Sequence, residues 1–155
     1  MSFDQAAVIG IRDQLLTHAQ TLGIFDQVTA HEPKNMPSNG MACVIWAQEI
    51  RPLSSGSGMD ATSGYVTWHA RLQIPAWSES LDNVETDLLT AASTLMNEYS
   101  GNFTLSSSVR AVDLLGMYGE SLSMTAGYLS MGDTFYRIAT VVLPMIVDNL
   151  WTQGA

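Results

Sequence analysis

One cysteine, Cys43, stands in 155 residues. It excludes an internal disulfide framework and any multi-cysteine zinc or iron–sulfur site. Lysine is as scarce: Lys34 stands alone, and Arg12, Arg51, Arg71, Arg110 and Arg137 are too scattered to form a phosphate-neutralising patch. Six basic residues against fifteen acidic ones leave a net charge of -9, which argues against strong nucleic-acid binding. No apolar run approaches the roughly 20 residues of a membrane span. The first residues, Met1-Ser2-Phe3-Asp4-Gln5, lack the basic start and apolar core of a secretory signal, so a soluble chain made in a reducing compartment is expected. Charge itself is short. Charged residues make up 14% of the chain and hydrophobic ones 46%, where ordinary soluble domains carry roughly 25% charge. A surface so poor in charge is either a quiet, Ser/Thr-rich one or, the reading favoured here, one covered in part by other subunits.

What is present is periodicity, over a length that fits one domain with a substantial core. Val8, Ile11, Leu15, Ala19 and Leu22 recur at helical spacing, with Ser2 read as the cap, Gln5 three residues on, and Gly23 as the stop. His18 lies beside that stripe and reads as a partly buried helix histidine. Residues 31–40 hold Pro33, Pro37 and Asn39-Gly40 and read as a polar loop. His31, Glu32 and Lys34 crowd there, but no second acid or nucleophile has a defined spacing to them, so a solvated turn is the reading.

Residues 41–50 form a nearly continuous apolar run, as a central strand would, with Cys43 inside it as a buried structural thiol. Residues 65–74 alternate: Val66, Trp68, Ala70, Leu72 and Ile74 point one way, while Tyr65, Thr67, His69, Arg71 and Gln73 point to a wetter face. These two strands flank the Ser/Gly-rich stretch 51–64 and read as an antiparallel hairpin with an extended, flexible tip. Leu81, Val84, Leu88, Leu95 and Tyr99 trace the apolar face of a second helix over 82–100, with Asp82 and Glu85 in its first turn. Strands are expected at 108–115, 122–131 and 135–147, with Gly132-Asp133 as a tight turn. Pro144 implies an edge, a bulge or the strand's end. The order α-β-β-α-β-β-β predicts a single α+β domain over 1–155: an antiparallel or mixed sheet with two main helices on one face.

Enzymatic signatures are absent from this pattern. Gly56-Ser57-Gly58 lacks the Gly-Lys-Ser/Thr ending of a phosphate loop, and no Gly-x-Ser-x-Gly elbow occurs. The three histidines fall in three different elements, so no metal-ligand cluster is expected. No catalytic, cofactor-binding or metal-binding residue is assigned. From the residues alone, the reading stops at an acidic, assembly-forming α+β domain.

Several segments, taken in order, go further. They are Phe25-Asp26-Gln27-Val28, the Glu32-Pro33 turn, Val44-Ile45-Trp46, Ile50-Arg51-Pro52, Ser57-Gly58-Met59 and the Leu81-Asp82 helix start. Gly101-Asn102-Phe103, Val109-Arg110-Ala111-Val112-Asp113-Leu114 with Gly116, and Gly127-Tyr128-Leu129 beside Tyr136-Arg137-Ile138 follow. This succession resembles the tail terminator (tail completion) proteins of phages with long, non-contractile tails, particularly those of actinobacterial hosts. The resemblance implies a virion protein of the tail or neck, assembled in the host cytoplasm as a homo-oligomeric ring, commonly of six subunits. Such a ring caps the head-proximal end of the tail tube, stops tube polymerisation and offers a surface to the head–tail connector. Its partners would be the tube protein and the connector or head-closure protein, with DNA passing through the lumen without specific binding. An acidic lumen would let DNA slide. On this view the tip residues Leu53, Ser54, Ser55, Gly56, Ser57, Gly58, Met59 and Asp60 are the candidate assembly interface, with Leu53 and Met59 as apolar anchors. The alternatives are another neck or head-closure component, or a small acidic ligand-binding domain.

Overall fold

A computed structural model describes residues 2–31, 40–53, 61–76, 81–100 and 111–152. Its longest strands are those with the strongest β patterns. β3 (Ala42–Pro52) and β4 (Ala61–Pro75) pair antiparallel, and β4 pairs along its other edge with β7 (Thr134–Thr152). β4 is thus enclosed by neighbours on both edges. Its partner β7 carries β6 (Ser123–Met131), then β5 (Ala111–Val112), then β1 (Ser2–Phe3) in succession along its remaining edge. At the opposite margin β2 (Gln27–Thr29) lies parallel to β3. Among the described residues the result is a seven-stranded mixed sheet.

α1 (Gln5–Leu22) and α2 (Leu81–Ser100) pack on one face of it. Ile11, Leu15 and Ala19, one helical turn apart, are buried against Cys43 and Ile45 of β3 and the apolar row Val66, Trp68, Ala70, Leu72 and Ile74 of β4. Val84, Leu88, Ala92, Leu95 and Tyr99 of α2 join the same core with Val141, Leu143 and Met145 of β7. The two helices meet where the His18 ring lies 5.8 Å from that of Tyr99 and His18 Nε2 lies 3.7 Å from Glu98 Oε2.

The expected α+β class, with two helices on one face, is what the chain forms. Details differ. Asp4, not Ser2, caps α1: its Oδ1 accepts from the amide of Ala7 at 3.0 Å, while Ser2 pairs with Thr152. A carboxylate one residue before the helix also favours the positive helix end. The hairpin strands extend through Pro52 and back to Ala61, so the expected 51–64 loop shrinks at both ends; residues 54–60 lie outside the described residues, as do 32–39 and 101–110. The expected strand at 108–115 is, within the described residues, only Ala111–Val112. The wetter face of β4 is mostly covered: Tyr65, Thr67 and Gln73 are buried, while His69 and Arg71 are half-buried. A strand with partners on both edges buries much of both rows of side chains.

β7 continues past Pro144 to Thr152. The Pro144 carbonyl accepts from the amide of Asp113 at 3.0 Å, so the proline's missing donor faces the margin where β6 has ended and β5 begins. Gly132-Asp133 closes the β6–β7 hairpin between Met131 and Thr134, as its sequence implies.

Candidate functional site

The most constrained polar cluster lies on the sheet face opposite the helices, where the turn after β5 folds over Tyr65. Asp113 is buried, and its carboxylate organises that turn. Oδ1 accepts from the amide of Met117 at 2.9 Å, and Oδ2 accepts from the amide of Tyr118 at 3.0 Å. The Tyr65 hydroxyl reaches two acceptors, Asp113 Oδ2 at 2.9 Å and the Glu120 carbonyl at 2.7 Å, and itself accepts from the Glu120 amide at 3.0 Å. Burial, reinforced by the Asp113 carboxylate, holds the Tyr65 phenol well above its usual pKa, so it stays a donor. Arg51 completes the clasp. Its guanidinium lies over the Tyr65 ring, 4.5 Å from the centroid, and donates to the Tyr118 carbonyl. Gly119, at φ 152°, permits that approach, since a Cβ there would stand 2.3 Å from Arg51 Nη2.

The clasp has a consequence on the outside. Leu115 and Met117 are 87% and 79% exposed, and Leu114 is also exposed, on a turn whose backbone is tied down at both ends. Large apolar side chains held in water by a rigid turn are the mark of a contact surface.

A second polar cluster braces α2 against the β6–β7 hairpin. Arg137 grips Glu85 through Nε at 2.8 Å and Nη2 at 2.7 Å, donates from Nη1 to the Gly127 carbonyl at 2.9 Å, and stacks over Tyr128. The fork–fork pairing with Arg137 holds the Glu85 carboxyl below its usual pKa. This is structural bracing, because every contact joins elements of the fold.

Three hollows lined by described residues open on the surface. One of about 310 Å³ lies between α2 and the start of β3 and includes Asp26, Met41, Ile74, Asp87 and Thr90. One of about 230 Å³ lies beside the Arg137–Glu85 brace. The third, about 150 Å³, sits by the β2 margin on the same sheet face as the clasp and is lined by Ala30, His31, Val44, Trp46 and Arg71. None of the three is lined by a serine, cysteine or lysine. Among the described residues no three His, Cys, Asp or Glu side chains are grouped as a metal site would need. Cys43 is free and buried, and burial pushes its thiol up to about 12.

Of the tip residues expected to form an interface, Leu53 is 5% exposed and packs with Tyr65 and Ile146 inside the subunit, so it is core and not a free anchor. Ser54 to Asp60, Met59 included, lie outside the described residues. Leu115 is expected from the sequence as the last residue of a strand over 108–115 and Met117 has no assigned role, so neither is among the expected interface residues.

No family model and no curated protein matches this chain. A solved structure aligns over 99% of this chain and 99% of its own at 12% identity and a TM-score of 0.40, too distant a likeness to carry an argument.

Proposed function

We propose that this protein is a non-enzymatic virion component: a tail terminator subunit that assembles into a ring, six-fold by the family resemblance, at the head-proximal end of a phage tail tube. The observation that carries the assembly reading is the Asp113–Tyr65–Arg51 clasp, which spends a buried polar network on displaying Leu115 and Met117 to solvent. A chain with 14% charged residues supports the same reading, because subunit contacts would cover its apolar surface. The order of sequence segments supplies the phage role. Residues 54–60, between the tips of two long strands, are the proposed arm toward the tube or a neighbouring subunit. The tube protein and the head connector are the proposed partners, and DNA passes through the acidic lumen.

The test is growth of tail tubes from purified tube subunits, followed by electron microscopy with and without this protein. Tubes that stop growing and carry a ring at one end are expected. Tubes that elongate unchecked, with the protein bound at neither end, overturn the terminator role; binding only to the head-side connector would instead identify a head-closure component.

A further inference from the structure

We infer that the Leu115/Met117 turn of one copy docks into the Trp46–Arg71 hollow of a second copy, making this knob-in-hollow contact the subunit interface. The inference rests on the ring reading and names its contact. Five observations carry it. Knob and hollow share one sheet face but are different patches of it: the knob folds from β5 across Tyr65 to Arg51 at the hairpin end of β3 and β4, and the hollow lies beside β2 toward the other end of β3. A surface patch that fits a different patch of the same subunit is the requirement for head-to-tail assembly.

Size agrees as well. The hollow of about 150 Å³ belongs to the class that admits a benzene-sized guest, so it takes one Leu or Met side chain. Chemistry agrees too. Trp46 lines the hollow, held by its Nε1 donating to Gln48 Oε1 at 2.9 Å, and its ring meets His69 at 5.4 Å; a thioether such as that of Met117 packs well on such a ring. The charges are opposite: exposed Glu120 closes the knob turn, while Arg71 lines the hollow. Finally, the clasp fixes the turn before binding, so little ordering entropy is lost when it docks.

The experiment pairs two single-cysteine additions, Met117→Cys in one preparation and Ala30→Cys in another. Both positions are surface-accessible, and buried Cys43 with its raised pKa stays silent under mild oxidation. Mixed and oxidised with copper phenanthroline, free at high concentration and on capped tubes, the two should form a disulfide-linked pair that neither forms alone. The double variant Leu115→Ser/Met117→Ser, which removes only exposed apolar groups, should keep its melting temperature and weaken self-association by about tenfold or more in sedimentation. No mixed disulfide in either setting, or a Met117→Cys protein that links equally well to itself, overturns the contact. The two proposals fail separately. Normal capping of tubes without the mixed disulfide removes this inference and leaves the terminator role; a mixed disulfide in a protein that does not stop tube growth does the reverse.

Discussion

Tyr65 shows how one side chain can serve two surfaces. Its ring is buried with Leu53 and Ile146, and its hydroxyl is the hub for Asp113 and the Glu120 backbone. Tyr65→Phe keeps the packing and strands the Asp113 carboxylate with one partner fewer. A loss of about 1–3 kcal/mol is expected from such an unsatisfied buried group, read from the urea midpoint. Amide exchange at Met117 and Tyr118 should quicken, whereas protection unchanged at both would mean the hydroxyl does not hold the turn. Cys43 makes a second prediction at this scale. Its thiol ionises near 9.0 when unfolded but is pushed up to about 12 by burial in the fold. The contribution of the neutral thiol is therefore complete below pH 9 and declines as the pH rises toward 12, because only the unfolded chain releases the proton there. Stability should fall over that window and fall less steeply in Cys43→Ala; identical slopes in the two proteins would contradict the assignment.

At the scale of elements, α2 is the member whose pattern and packing agree most closely. Leu88 and Leu95 are 2% and 0% exposed, two turns apart against β4 and β7, and Leu→Ala at either should cost about 2–5 kcal/mol in thermal or denaturant unfolding. The hairpin tip should behave oppositely. Deleting residues 54–60 leaves Leu53 in its pocket and the paired strands intact, so the melting temperature of the free subunit should hold while tube docking weakens. A large loss of stability would place the tip in the core.

The same contrast explains what was legible in the sequence. α1, α2, β3, β4 and the start of β7 announce themselves because a buried stripe must repeat at the period of its element. β1, β2 and β5, two or three residues each, have no room for a period, and only tertiary pairing makes them strands. β7 runs past the 135–147 expected for it because its last residues are held by β4 and β1, more than fifty residues away in the chain. The clasp was illegible for the same reason: Tyr65 and Asp113 carry no local pattern, and their bond spans 48 residues. Of the expected interface, Leu53 was identified as a large apolar residue in a Ser/Gly stretch, but nothing local shows that Tyr65 and Ile146 already cover it.

The whole molecule carries a net charge of -9 on a surface poor in charges of either sign. Two copies that approach through apolar contacts therefore repel one another over distances longer than the contacts themselves, and the repulsion is weakened by salt. The Debye length is about 10 Å at 0.1 M and about 3 Å at 1 M ionic strength. If apolar burial holds the subunits together, raising sodium chloride from low to moderate concentration should strengthen self-association, because the like-charge term is screened and the apolar term is not. A rim pair such as Glu120 with Arg71 would act in the other direction, but an exposed ion pair contributes only about 0–1 kcal/mol and is itself screened. Sedimentation equilibrium across a salt series reads the balance directly. Association that grows with salt and then levels off is the expected result. Association that weakens steadily with salt would mean that ion pairs, and not Leu115 and Met117, hold the copies together.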